Sequence, residues 1–144
     1  MRRKERTRAL VEGNPILART IARQVELQSS VDVLEDPREA LVMVKARESA
    51  RRQLFYLGEA LVTSCRVRVD GVQGQGLVMG DDRGLAYDLA LIDAAWELGE
   101  EKFPIAKWED SLSSELRRIE RRQAREREVN ASTRVDFSTM SEEL

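Results

Sequence analysis

A chain of 144 residues with 24 basic and 26 acidic side chains and a net charge of -2 has room for one core, and that balance gives no general attraction to nucleic acid or to an anionic membrane. Histidine is absent and Cys65 is the single cysteine, which excludes Ser-His and Cys-His nucleophile pairs, an intrachain disulfide and a cysteine-based metal site within one copy. No apolar run approaches the roughly 18 residues that a bilayer span needs, and no apolar stretch follows the basic start as in a signal peptide, so the expected location is the cytoplasm.

Arg2, Arg3, Lys4, Arg6 and Arg8 crowd the first eight residues against Glu5 alone, a cluster that reads as a solvated, frayed terminus. Gly13-Asn14-Pro15 marks a junction of two helices: Gly closes the first in a left-handed cap, Asn caps the second and Pro occupies its first turn. In that second helix Leu17, Ile21 and Val25 recur at helical spacing with Ala18 and Ala22 beside them, which predicts a core-facing stripe.

From Val31 the pattern turns to strands, with Asp36-Pro37 as an interruption. Ala40 to Ala46 places Val42 and Val44 with the alanines on one face and Leu41, Met43 and Lys45 on the other, so a strand covered on both faces is expected. Gln53 to Leu57 reads as a short strand, Gly58 as a turn or bulge, and Ala60 to Val69 as a long strand. There Cys65, Val67 and Val69 face the core and Arg66 and Arg68 face water. Asp70-Gly71 supplies hairpin chemistry, and the return strand runs to about Met79.

Asp81 or Asp82 caps the next helix, in which Leu85, Leu89, Ile92 and Trp96 form a row widened by Leu91, Ala95 and Leu98. This is the expected core helix, lying across the sheet. Pro104 marks a loop over the surface, and a last helix is expected from Asp110 or Ser111 with Leu112, Leu116 and Ile119 as its stripe. Past Ile119 that helix is arginine and glutamate on every side and reads as solvated. The expected class is α+β: N-terminal helices, a mainly antiparallel sheet covered by a buried helix, a long C-terminal helix and an extended tail. Residues 1–131 form one domain and 132–144 the tail, whose Val135, Phe137 and Met140 suggest docking.

Three features invite a chemical reading. The glycines of Gly71-Val72-Gln73-Gly74-Gln75-Gly76 and Gly80 resemble a phosphate cradle and would suit a nucleotide-binding regulator, but their spacing fits neither standard fingerprint and two aspartates stand at the helix start. The arginine-rich last helix would suit an adaptor, against the negative net charge. Cys65 reads as a buried hydrophobe, and Asp88 and Asp93 as partly buried structural contacts, with Asp93 placed to hold a backbone group or an arginine.

The segments Phe55-Tyr56-Leu57-Gly58-Glu59-Ala60-Leu61-Val62-Thr63, Gly80-Asp81-Asp82, Ala90-Leu91-Ile92-Asp93-Ala94 and Arg134-Val135-Asp136-Phe137-Ser138-Thr139-Met140 together resemble the PhnG family, the G subunits of the bacterial carbon-phosphorus lyase system. The sequence departs from the family pattern at Ser138, where a second phenylalanine is usual, and in its ending Glu142-Glu143-Leu144. The resemblance implies a core complex with H, I and J subunits, contact with the I subunit being most direct. That complex would convert ATP and methylphosphonate into a ribose 1-methylphosphonate 5-triphosphate, with adenine displaced, before the carbon-phosphorus bond is cleaved. It also implies that ATP, S-adenosylmethionine and an iron-sulfur cluster serve the complex while this chain binds no cofactor and is not catalytic alone. On this reading Arg134, Val135, Asp136, Phe137 and Met140 contact a partner, and neither nucleic acid nor membrane does.

Overall fold

A computed structural model describes residues 1–133. Helices α1 (Arg3–Glu12) and α2 (Pro15–Gln28) meet at Gly13 and Asn14, and the Asn14 side chain accepts the Ile16 N–H at 3.0 Å, satisfying one orphan donor of the first turn. Gly13 does not adopt the expected left-handed cap, its φ being -84°. Crowding explains it instead: a Cβ there would lie 2.3 Å from the Ala9 carbonyl oxygen and 2.5 Å from Glu115 Cγ. Glu115 accepts the Asn14 N–H at 2.9 Å and pairs with Arg118; Arg118 first, and then that backbone bond, hold its carboxyl below the ordinary value. The N-terminus is likewise not the frayed segment its charge suggests. Arg6 is buried, with its guanidinium 4.9 Å from the Trp96 ring centroid, and Arg3 and Arg6 each reach Asp93 at 3.0 Å.

Strands β1 (Val31–Arg47), β2 (Leu54–Val69) and β3 (Val72–Met79) form an antiparallel sheet in the order β1-β2-β3. Asp70 and Gly71 have φ of 45° and 85°, the pair of positive values that a two-residue hairpin loop with matching twist requires. Asp36-Pro37 does not end β1. The pairing shifts register between Glu35 and Arg38 and continues, a bulge that an edge strand tolerates because the missing proline donor faces outward. The two strands expected on either side of Gly58 are one: β2 is unbroken, and Leu57 is the extra residue opposite the Val44–Lys45 step.

Helix α3 (Arg83–Leu98) starts at Asp82, whose side chain accepts the Leu85 N–H at 3.1 Å. It lies on the face formed by Cys65, Val67, Val69 and Val78, and its Ala86, Ala90 and Ala94 let it approach the sheet closely. Contact with β3 is backbone to backbone: a Cβ on Gly74 would sit 2.1 Å from the Ala90 carbonyl oxygen, and one on Gly76 1.9 Å from that of Ala86. Ala18, Ile21, Ala22 and Val25 of α2 complete the layer behind α3.

Helix α4 begins at Ile105 rather than near residue 110 and runs to Ser132. The stretch expected to loop over the surface is a buried corner, because Phe103 stacks on Trp108 at 5.6 Å and Trp108 lies 5.7 Å from Trp96. The Glu100 carboxylate accepts the Ala106 N–H at 3.1 Å, supplying from outside the helix the cap that Pro104 lacks. Leu112 and Ile119 are buried, and nearly all residues beyond Ile119 are exposed, as the charge pattern implies. Among the described residues no helix is long and apolar enough to cross a membrane.

Gly76→Ala would drive a methyl group into the α3 backbone, an overpacking that costs on the order of 1–3 kcal/mol. Urea unfolding should show a lower midpoint of that size with an unchanged slope; a stability equal to the parent's would mean that the helix is free to ride outward.

Candidate functional site

The pairing of β2 with β3 stops at Val62–Met79, whereas β1 and β2 stay paired to Arg47–Leu54. Residues 41–47 and 54–61 therefore form a two-stranded arm beyond the three-stranded sheet, closed by a loop in which the Glu48 N–H donates to the Gln53 carbonyl at 2.9 Å and Arg52 takes φ 54°. On one face Leu41, Met43 and Lys45 stand opposite Leu61, Glu59 and Tyr56. On the other, Val42, Val44 and Ala46 stand opposite Ala60, Gly58 and Phe55.

The alternation is the one expected, but the expected cover on both faces is not supplied by the described residues. Leu41 is 64% exposed, Met43 62% and Leu57 61%, and Val44, Leu54, Phe55, Tyr56 and Leu61 are also exposed. The core helix spans only about 24 Å at 1.5 Å per residue, close to the length of β3, and does not extend over the arm. The proximal half of β1 guards its open edge with Asp32, Glu35, Asp36, Pro37, Arg38 and Glu39, while between residues 40 and 46 only Lys45 is charged. A two-stranded ribbon is marginal in water, and an exposed apolar surface with so few charged guards is of the kind that marks interaction sites.

The other candidates resolve as structure. Gly71 serves the hairpin and Gly74 and Gly76 serve the α3 contact, so the glycines that resemble a phosphate cradle are accounted for by packing. The Asp82 carboxylate already occupies the α3 N-terminus. Asp93 accepts from Arg3, Arg6 and the Gln75 N–H, the last at 3.1 Å, the arginine and backbone roles expected of it. Asp88 is buried against Arg19; burial pushes its carboxyl up, against the pull of Arg19. Cys65 is fully buried with Sγ 3.4 Å from the Glu35 carbonyl oxygen, and burial raises its thiol above the ordinary value. An iron-sulfur cluster needs several thiolates, so this one buried thiol does not fit such a group. Among the described residues no three Cys, Asp or Glu side chains converge as metal ligands. Arg134, Val135, Asp136, Phe137 and Met140 lie outside the described residues.

The arm is what sequence reasoning missed. Its signal was available: two strands of unequal partner length, since a return strand of eight residues cannot pair with all sixteen of β2. Because the arm side chains already face water, Phe55→Ser and Leu57→Ser should each change unfolding free energy by no more than about 0.5 kcal/mol while reducing binding of a hydrophobic dye. A loss of several kcal/mol would place these side chains in the core.

A family model described as phosphonate metabolism protein PhnG matches residues 1–142. The alpha-D-ribose 1-methylphosphonate 5-triphosphate synthase subunit PhnG of Rhizobium meliloti (strain 1021) is 32% identical over 139 residues, which cover 90% of this chain and 86% of that one.

Proposed function

The chain belongs to the PhnG family of phosphonate metabolism proteins, and from that premise we propose that it is a non-catalytic assembly subunit of a cytoplasmic carbon-phosphorus lyase core complex. The complex would form alpha-D-ribose 1-methylphosphonate 5-triphosphate from ATP and methylphosphonate with displacement of adenine. Its other members would be the H, I and J subunits, the I subunit in most direct contact. Binding of ATP, S-adenosylmethionine and the iron-sulfur cluster would fall to those subunits.

The observation that carries this reading is the apolar arm of β1 and β2. Enzymes place their polar chemistry in a cleft lined by a few convergent groups, whereas the most unusual surface here is a projecting ribbon with apolar side chains on both faces. Burying it in another subunit would remove exposed Leu, Met, Phe and Tyr surface from water, worth roughly 25 cal/mol per Å² before the costs of association. The tail adds a second contact in the same reading: Val135, Phe137 and Met140 anchor in a partner groove, and Arg134 and Asp136 pair at its rim.

Co-expression of a tagged chain with candidate H, I and J subunits tests this. The expected result is a stable complex that releases adenine from ATP with methylphosphonate and needs this chain for that activity. Phe55→Ser combined with Leu57→Ser, and truncation after Ala131, should each reduce recovery of the complex at least several-fold while the variant chains remain folded. Full recovery with both changes would remove the arm and the tail as assembly contacts, and a chain that recovers none of these subunits would sink the assembly reading.

A further inference from the structure

Strand β3 has a second edge, away from β2, and among the described residues no strand pairs with it. The Gln75 N–H points outward, since it donates to Asp93, and the Gly80 N–H points inward to the Leu61 carbonyl at 2.9 Å. Alternation along an extended strand therefore aims the N–H and C=O groups of Gln73, Leu77 and Met79 outward with Gln75. Among the described residues, Gln75 alone has a partner for its outward N–H.

Helix α1 forms the opposite wall. Arg3, Lys4, Thr7, Arg8, Val11 and Glu12 face Leu77, Val78 and Met79 across a groove of about 720 Å³. A smaller cavity of about 300 Å³ lined by Leu10, Leu89 and Ile92 continues it toward the core at Arg3, Thr7 and Leu77. Arg3 is paired with Asp93 and Arg8 with Glu12, which leaves Lys4 as the uncompensated charge of the groove among the described residues.

We infer that the open edge of β3 and the wall of α1 together receive an extended strand from another subunit, one that pairs with Leu77 and Met79 and presents a carboxylate to Lys4. An unpaired edge recognises a strand through main-chain hydrogen bonds, and the side chains that flank it select the sequence. Leu77 and Met79, both exposed, offer apolar contacts. Charge argues against a second copy of this chain: pairing β3 with itself across a two-fold axis would bring two copies of the uncompensated Lys4 into one interface. The inference rests on the assembly reading for the source of the strand, but the surface is separate from the arm.

Residue-resolved hydrogen exchange on the chain alone and in the complex co-expressed with H, I and J subunits tests it. The Leu77 and Met79 amides should slow at least tenfold on assembly, while Val78, already paired to β2, should change little. Lys4→Glu should weaken recovery of the complex at least fivefold. Leu77→Pro removes one outward donor at an edge that tolerates proline and should do the same; Lys4→Glu stands as the test if the proline variant does not fold. A complex that forms with the Leu77 and Met79 amides unchanged would overturn the strand-docking inference and leave the assembly reading intact. Concentration-dependent protection of those amides in the chain alone would show self-pairing and overturn it as well. Failure of the wild-type chain to assemble would sink both.

Discussion

The close approach of α3 to β3 at Gly74 and Gly76 is the contact on which the rest of the molecule depends. With no side chain between them, the helix lies directly on the strand, and Ala86, Ala90 and Ala94 repeat the same economy of volume from the helix side. That fixes the thickness of the sheet-helix layer and the line along which α2 packs behind it. It also fixes how far the cover extends. A helix of 16 residues matches a strand of eight, about 24 Å against about 26 Å, so everything in β1 and β2 beyond the level of Met79 projects past the cover of α3 and β3.

The arm is thus a consequence of unequal strand lengths, and its exposed apolar side chains are what the assembly proposal rests on. A solvated ribbon would carry alternating polar residues on its outer face, but one face holds Val42, Val44 and Phe55, and the other sets only Lys45 and Glu59 among Leu41, Met43, Tyr56 and Leu61. The same chain guards the proximal half of β1 with five charges and a proline. Apolarity in the distal half is therefore a local property of the arm rather than a feature of the whole sheet. The arm contributes nothing to the core: the buried cluster made by α1, α2, α3, α4, the corner at Phe103 and the three-stranded part of the sheet includes no residue between 40 and 61.

Much of the fold was legible because local signals agreed with one another. Asn14-Pro15, Asp70-Gly71 and Asp82 each sit where a cap or turn demands that chemistry, and the alternation of Cys65, Val67 and Val69 with Arg66 and Arg68 placed the core face of β2 correctly. The misreadings share a cause: each depended on a contact that the local periodicity of its own element does not carry. Gly13 is small because Glu115 of α4 passes beside it, not because of its own φ. Arg6 belongs to the interior because Trp96 and Asp93 receive it. Helix α4 starts early because Glu100 caps Ala106 and because Trp108 must reach Trp96 and Phe103. The apolar pattern of residues 40–46 predicts cover on both faces, which no described residue of this chain supplies; a strand pattern does not say which chain a covering surface belongs to.

The central claim is that this covering surface belongs to another subunit. Hydroxyl-radical footprinting of Met43 and Tyr56, compared between the free chain and the chain in complex with its candidate partners, addresses it most directly. Both side chains are exposed in the chain alone and should label readily there, with labelling several-fold lower once the complex forms. Equal labelling of both residues in the free and assembled states would show the arm still in water and would contradict the account.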